Sequence, residues 1–306
     1  MFENNSEVSE AAGFTAHDSD FTSQGVRCAG TLYLPNNVER PPIVILGHGF
    51  AAVRAFRLAA FAARFAENGF AAYFFDYRCF GDSDGEPRHW VDPTRHQQDW
   101  RSALHHVTDM AEINPDKIIL WGSSFSGGHV LQIASERPNI AAVIAQVPHV
   151  SGPATLKNFP LKNMLKTTVA AFKDVLGRLL FNKPHYSPVI GRPGDYAVMT
   201  TEECWDGWFG MVPSESTWEN KVLSRVFLKL AFFSPIYKVR RINVPALIVV
   251  GTEDTVTPPK AAESAAMRIP NAELKLFDCG HFSVYNGELF ERNISAQLAF
   301  LSANFL

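Results

Sequence analysis

The chain has 306 residues, 46% of them hydrophobic and 19% charged, with a formal net charge of -3. That length suits one large α/β domain carrying an insertion, or two small domains, with a core that needs no staples. Lys and Arg are dispersed in short pairs such as Arg240 and Arg241, so the basic stripe of a nucleic-acid binder is missing.

No apolar run approaches the roughly 18 residues of a membrane helix, so no stable membrane insertion is expected. The start, Met1 to Asn5, is polar and acidic, without the basic and apolar segments of a secretory signal. Cys28, Cys79, Cys204 and Cys279 lie far apart with no CxxC. They read as free thiols in a reducing compartment, although counting alone leaves two disulfides open. A cytoplasmic protein is the expectation.

In chain order, residues 13–34 read as two strands joined by a turn over 18–25, an antiparallel hairpin at a sheet edge. Ile43 to Leu46 is a continuous apolar run bounded by Pro42 and Gly47, the pattern of a buried strand. Residues 54–67 are helical, with Leu58, Phe61, Ala62 and Phe65 on one face and Gly69 as the stop. The alternation continues with strand 70–75, helix 94–110, strand 117–121, helix 125–137 and strand 140–147. This rhythm predicts a mainly parallel sheet with helices on both faces, an α/β class.

From about 151 to 241 the rhythm breaks. An amphipathic pattern runs through Leu161, Leu165, Val169, Phe172, Leu176 and Leu179, and Pro- and Gly-rich turns follow. Such a stripe packs over an active site more often than it touches a membrane. The rhythm resumes with strand 246–250, helix 258–267 and strand Ala272–Phe277. A closing helix carries Phe290, Ile294, Leu298 and Leu301 on one stripe. The expected organisation is a core of residues 1–150 and 242–306, interrupted by a helical cap or lid at 151–241.

Four segments carry chemistry. Lys117 to Gly128 reads strand, tight small-residue turn, helix, with Gly122 two before Ser124 and Ser126 two after it. This is the setting of a nucleophile elbow, in which the flanking residues must be small because the turn is sharp. Ser126 is the competing nucleophile, and a plain loop or an anion-binding helix N-terminus is the bland alternative. Gly47-His48-Gly49-Phe50 ends an apolar strand. Acyl transfer needs two backbone N–H groups aimed at the oxyanion, and Phe50 and Phe125 fit that role. Here His48 reads as a turn residue.

Asp254 lies on the loop after a strand, able to reach a later histidine, with Glu253 as the nearest alternative acid and an N-cap or turn role as the bland one. His281 follows Gly280 at a strand end. Each segment alone is weak. Together, Ser124, Asp254 and His281 arrive in the chain order of a Ser-Asp-His triad, each just after a strand.

These stretches, with Phe75 to Arg78, Phe80 to Pro87, Gly251 to Asp254 and Gly280 to Phe282, carry a resemblance over nearly the whole chain. It resembles the α/β-hydrolase fold family, in the group of dienelactone-hydrolase-like esterases, S15/S33 peptidase relatives and polyketide transferase-like proteins. The resemblance implies a helical cap insertion, Ser124, Asp254 and His281 as triad, and Phe50 and Phe125 as oxyanion donors. It implies no cofactor and no metal. Position 79, often Gly in such loops, is Cys here, either narrowing the pocket mouth or buried.

The expected activity is cleavage of a carboxylic ester in a small-molecule acyl substrate. A thioesterase, acyltransferase or peptidase with the same triad is the alternative, and a non-catalytic binding protein a further one. Phe159, Phe172, Phe181, Trp205, Trp208, Phe209 and Phe232 are candidate pocket walls. Asp82, Asp84 and Glu86 read as a solvated turn between Gly81 and Gly85 rather than a metal loop. A homo-oligomer is left open.

Overall fold

A computed structural model describes residues 13–136, 139–157 and 161–305. The first strands are β1 (Phe14–Asp18), β2 (Phe21–Ser23), β3 (Val26–Cys28) and β4 (Gly30–Pro35), followed by β5 (Ile43–Gly47), β6 (Ala71–Phe75), β7 (Ile118–Ser123) and β8 (Ala142–Gln146). After an excursion, β11 (Ala246–Gly251) and β12 (Ala272–Phe277) complete one eight-stranded sheet in the order β1-β4-β6-β5-β7-β8-β11-β12. The pairs from β6 to β12 are parallel, and only β1–β4 and β4–β6 run antiparallel. Strands β5, β6, β7, β8 and β11 are buried at every residue, which is why their sequences are apolar runs without alternation.

The antiparallel edge has a different turn from the expected one. β1 pairs directly with β4, Phe14 opposite Pro35. The segment between them folds into its own small ladder, β2 against β3. Gln24 and Gly25, at φ 49° and 77°, supply the two left-handed positions of a two-residue hairpin turn.

Helices α1 (Leu58–Glu67), α2 (Pro93–Thr108) and α3 (Phe125–Ala134) connect the early strands. α1 starts four residues later than its periodicity suggests. The Arg54 N–H is held by Asp76 (2.7 Å), and Arg57 takes a left-handed φ of 69°. α2 is capped by Asp92, whose carboxylate accepts from the Thr94 N–H at 2.9 Å.

The excursion between β8 and β11 holds α4 (Gly152–Leu156), α5 (Leu161–Phe181), β9 (Tyr186–Ser187), α6 (Glu202–Phe209), β10 (Val222–Leu223) and α7 (Phe227–Leu230). β9 pairs with β10 and stays apart from the main sheet. Here the structure reverses an expectation. α5 buries Asn163, Thr167, Ala170, Ala171 and Asp174 and turns Leu165, Val169, Phe172, Leu176 and Leu179 outward. Its orientation is set by a polar pin: Asp174 accepts from the His185 N–H (3.0 Å), the Arg225 N–H (2.9 Å) and the Arg225 guanidinium (2.7 and 2.9 Å). A paired carboxylate must face its partners, and the alanines beside it let the backbones approach.

The chain closes with α8 (Pro259–Ala266) and α9 (Gly287–Phe305). No helix among the described residues is long and apolar enough to cross a membrane.

Candidate active site

Ser124 sits between β7 and α3 with φ 56° and ψ -119°, a backbone that L residues rarely adopt. The turn is this sharp only because position 122 has no side chain. A Cβ on Gly122 would lie 2.3 Å from the Ser126 carbonyl oxygen. Serine is tolerated two residues after Ser124 because its hydroxyl turns inward and meets Tyr77 Oη at 2.8 Å, with Tyr77 in turn accepting from Trp100 Nε1 at 2.7 Å. Ser126 is fully buried there and does not line the cavity described below.

His281 follows β12 and Asp254 follows β11. The Ser124 hydroxyl meets His281 Nε2 at 3.0 Å, and His281 Nδ1 meets Asp254 Oδ2 at 2.7 Å. Asp254 is held by three further donors: the Val256 N–H (2.8 Å), the Thr257 N–H (2.7 Å) and the Thr257 hydroxyl (2.7 Å). Burial is the largest single influence on His281 and disfavours the imidazolium. The charge and hydrogen bond of Asp254, with a contribution from Glu203, outweigh it and raise the pKa above the ordinary histidine value. Glu253, the alternative acid, is exposed.

Phe125 opens α3, so its N–H belongs to the first turn, where helical amides have no partner within the helix. Phe50 follows the β5 turn, and the two rings meet edge-on at 5.5 Å. Both residues and Ser124 line a cavity of about 270 Å³. Its other walls come largely from the excursion, among them Leu156, Met164, Val198, Met199, Phe227 and Leu228, with threonines such as Thr167 and Thr257 between them.

Most of the expected aromatic walls are elsewhere. Phe172, Phe181 and Phe232 are exposed; Trp205 and Phe209 pack against each other at a 49° tilt (4.8 Å), away from the cavity. Trp208 stays beside the site: it lines, with Ser124, His281, Phe56 and Met211, a second cleft of about 30 Å³. Phe159 lies outside the described residues. For Phe172 and Phe181 the cause is the orientation of α5, which presents its small and polar face to the protein and gives the cavity Met164, Thr167 and Thr168 instead.

Several supporting residues escaped sequence reading. Glu203, on α6, accepts from the His281 N–H (2.6 Å) and the Thr255 N–H (2.8 Å), tying together the loops that carry the acid and the base. Only glycine permits this approach, since a Cβ on Gly280 would lie 2.2 Å from the Glu203 carboxylate. Behind the elbow, Ser123 Oγ meets Tyr285 Oη at 2.5 Å and accepts from Gln146 Nε2 at 3.0 Å. Asn293 and Gln297 donate to Gln146 Oε1 at 2.6 and 2.9 Å. The two lie one turn apart on the buried face of α9, a polar interruption of an apolar stripe that periodicity could have flagged.

The remaining singled-out groups have structural places. Asp82 and Asp84 pair with Arg54 and Arg27 at 2.8 and 3.0 Å. Cys79 is buried at φ 72°, which accounts for glycine being common at such a position. Burial pushes the Cys279 thiol up to about 11, far from a reactive thiolate.

His48, His96, His129 and His149 are buried around Tyr77 and Phe125; His96 stacks on Tyr77 at 4.0 Å, and Phe125 meets His129 at 4.8 Å. Burial pushes His48 and His149 down to about 4. An unfolded chain protonates its imidazoles near pH 6.5, so it binds more protons than the fold between about 6.5 and 4. Stability present above that window is therefore lost as pH falls through it, roughly 3 kcal/mol per histidine. Asp76, raised to about 6 by burial, works with the opposite sign. His149→Phe should thus lose less unfolding free energy than the unsubstituted protein between about pH 7 and pH 4.5 in urea titrations. Equal losses would remove His149 from this account.

The model of the alpha/beta hydrolase family matches residues 43–292. The quorum-quenching protein AidA of Acinetobacter baumannii (strain MDR-ZJ06) is 37% identical over 284 residues, covering 93% of each chain. Polyketide transferase af380 of Aspergillus fumigatus is 29% identical over 291 residues, covering 92% of this chain and 95% of its own. The crystal structure of the alpha/beta hydrolase GrgF from Penicillium sp. sh18 matches with a TM-score of 0.81 at 24% identity, covering 95% of this chain and 99% of that one. On the extent of the family match and the likeness to AidA, the chain belongs to the alpha/beta hydrolase family.

Proposed function

We propose that the protein is a serine hydrolase that cleaves carboxylic esters through an acyl-enzyme. The observation that carries this reading is the continuous Ser124–His281–Asp254 chain, at 3.0 and 2.7 Å, opening on an apolar cavity. His281 takes the Ser124 proton as the hydroxyl oxygen attacks the acyl carbon. The N–H groups of Phe50 and Phe125 receive the developing oxyanion, and Asp254 stabilises the imidazolium. The imidazolium then returns the proton to the departing alkoxide, and water, activated by the same histidine, releases the acid. Residues 151–241 act as a cap over a core of 1–150 and 242–306. A cytoplasmic setting suits the four buried, unpaired cysteines.

Fluorophosphonate labelling tests the assignment. The unsubstituted protein and Ser126→Ala should label, and Ser124→Ala should not. A folded protein that never labels would return the chain to the binding-protein reading.

Acyl transfer to an acceptor other than water is the second reading, supported by the mainly apolar cavity and by a relative named a polyketide transferase. Faster turnover of acyl-thioesters than of p-nitrophenyl esters, with the acyl group recovered on an added nucleophile rather than as the free acid, would favour it.

Glu203 is a positioning residue in this scheme. Glu203→Gln should lower kcat by about 10- to 100-fold through misplacement of the two loops. It should also move the acid limb of the pH–rate profile to lower pH, since Glu203 helps hold the His281 pKa up. A loss of activity with an unmoved acid limb would leave Glu203 a packing role only.

A further inference from the structure

We propose that the outward face of α5 is a docking surface for an anionic lipid bilayer, on which the helix lies flat in the interface. Scattered exposed apolar side chains need no explanation, but a continuous stripe does. Leu165, Phe172 and Leu179 are 73%, 54% and 75% exposed, and Val169 and Leu176 complete the same side of a 21-residue helix. From Leu165 to Leu179 the stripe is a ridge about 20 Å long, the shape of a helix that inserts side-on rather than of a groove that receives a peptide.

Charge selects the occupant. Lys166 and Lys173, seven residues apart and both exposed, run along one flank of the stripe, and the exposed Lys183 follows just past the helix end. Asp174 is the only acidic residue in 161–183, and it is buried against Arg225. An apolar ridge edged by lysines, whose stems can lie on the acyl region while the ammonium groups reach phosphate, matches an anionic leaflet. A second copy meeting this face across a two-fold axis would bring the same cations together with no exposed acid of this helix to answer them.

The ridge is also continuous with the cavity. Met164 and Leu228 are both exposed and part of the cavity wall. A lipophilic acyl chain leaving the bilayer would meet apolar side chains up to Ser124. This delivery role rests on the proposed hydrolase reading; the docking itself does not.

Flotation of the full chain with vesicles tests the proposal, using phosphatidylcholine alone and phosphatidylcholine mixed with phosphatidylglycerol. The protein should float with the mixed vesicles and at least several-fold less with the neutral ones, and added salt should weaken binding. Leu165→Ser/Phe172→Ser/Leu179→Ser should abolish flotation, and Lys166→Glu/Lys173→Glu should reduce it, while turnover of a soluble short-chain ester stays unchanged. Ser124→Ala should float like the unsubstituted protein, which separates this readout from the nucleophile assignment. Absence of flotation, or flotation indifferent to both sets of substitutions, would overturn the proposal. So would a dimer in light scattering that the serine substitutions dissociate, which would give the face to a second copy.

Discussion

Ser124→Ala is expected to lower kcat on a p-nitrophenyl ester by about 10⁴-fold or more, leaving only the residual rate that binding and oxyanion donors supply. The hydroxyl oxygen is the atom that forms the covalent bond, and no neighbour can substitute for it. Ser126 Oγ is bonded to Tyr77 and enclosed beneath Gly47, whose missing side chain leaves it room: a Cβ there would lie 2.6 Å away. Stability should fall by no more than about 1 kcal/mol, since the hydroxyl makes one side-chain hydrogen bond, to His281, and alanine meets the same backbone strain. Ser126→Ala is the contrasting case. It should keep its turnover and lose about 1 kcal/mol, the usual worth of one internal hydrogen bond. Turnover assays beside urea titrations check both. A Ser124→Ala protein retaining more than a few per cent of its activity would refute the mechanism.

Asp254→Asn is expected to cost about 10⁴-fold in kcat, the scale seen when a triad carboxylate becomes an amide. The carboxylate accepts from His281 Nδ1–H and so leaves Nε2 free to take the serine proton. An amide at this site can donate to Nδ1, which places the proton on Nε2, where it opposes Ser124. The substitution also removes the main influence holding the His281 pKa above its ordinary value. Since the base must be neutral to act, the acid limb of the pH–rate profile should shift to lower pH. Geometry should survive, because the Val256 and Thr257 amides still have an acceptor in the side-chain carbonyl at the Oδ1 position, and the Thr257 hydroxyl, displaced from Oδ2, still has the Val147 carbonyl at 3.1 Å. Activity near that of the unsubstituted protein would shift the acid role to another carboxylate.

The sheet was legible because its central strands are buried on both faces, so each shows as an apolar run ended by Gly or Pro. The candidate site was legible for a related reason. Ser124, Asp254 and His281 each follow a strand, and in a parallel sheet the strand ends lie on one edge, so chain order carries spatial information. Boundaries were less legible where a tertiary bond intervened. α1 begins at Leu58 because Asp76 holds the Arg54 amide, and the link from β1 to β4 runs over residues 19–29, past the expected turn, because Gln24 and Gly25 turn a hairpin of their own within it.

The pocket and its supports were not legible. Glu203 reaches the His281 amide from a helix 78 residues away in sequence, and nothing local to Glu203 marks it. The stripe on α5 misled, since periodicity tells which residues share a face and not which way that face turns. Sequence by itself thus determined the α/β class, the strand-end placement of Ser124, Asp254 and His281, and the break in rhythm at 151. Only the tertiary structure decided the direction of α5, the identity of the cavity walls and the clamp by Glu203. The physical reason is that local pattern encodes faces and ends, whereas the Asp174–Arg225 pairing and the Glu203 contacts are made between distant segments whose approach no local pattern specifies.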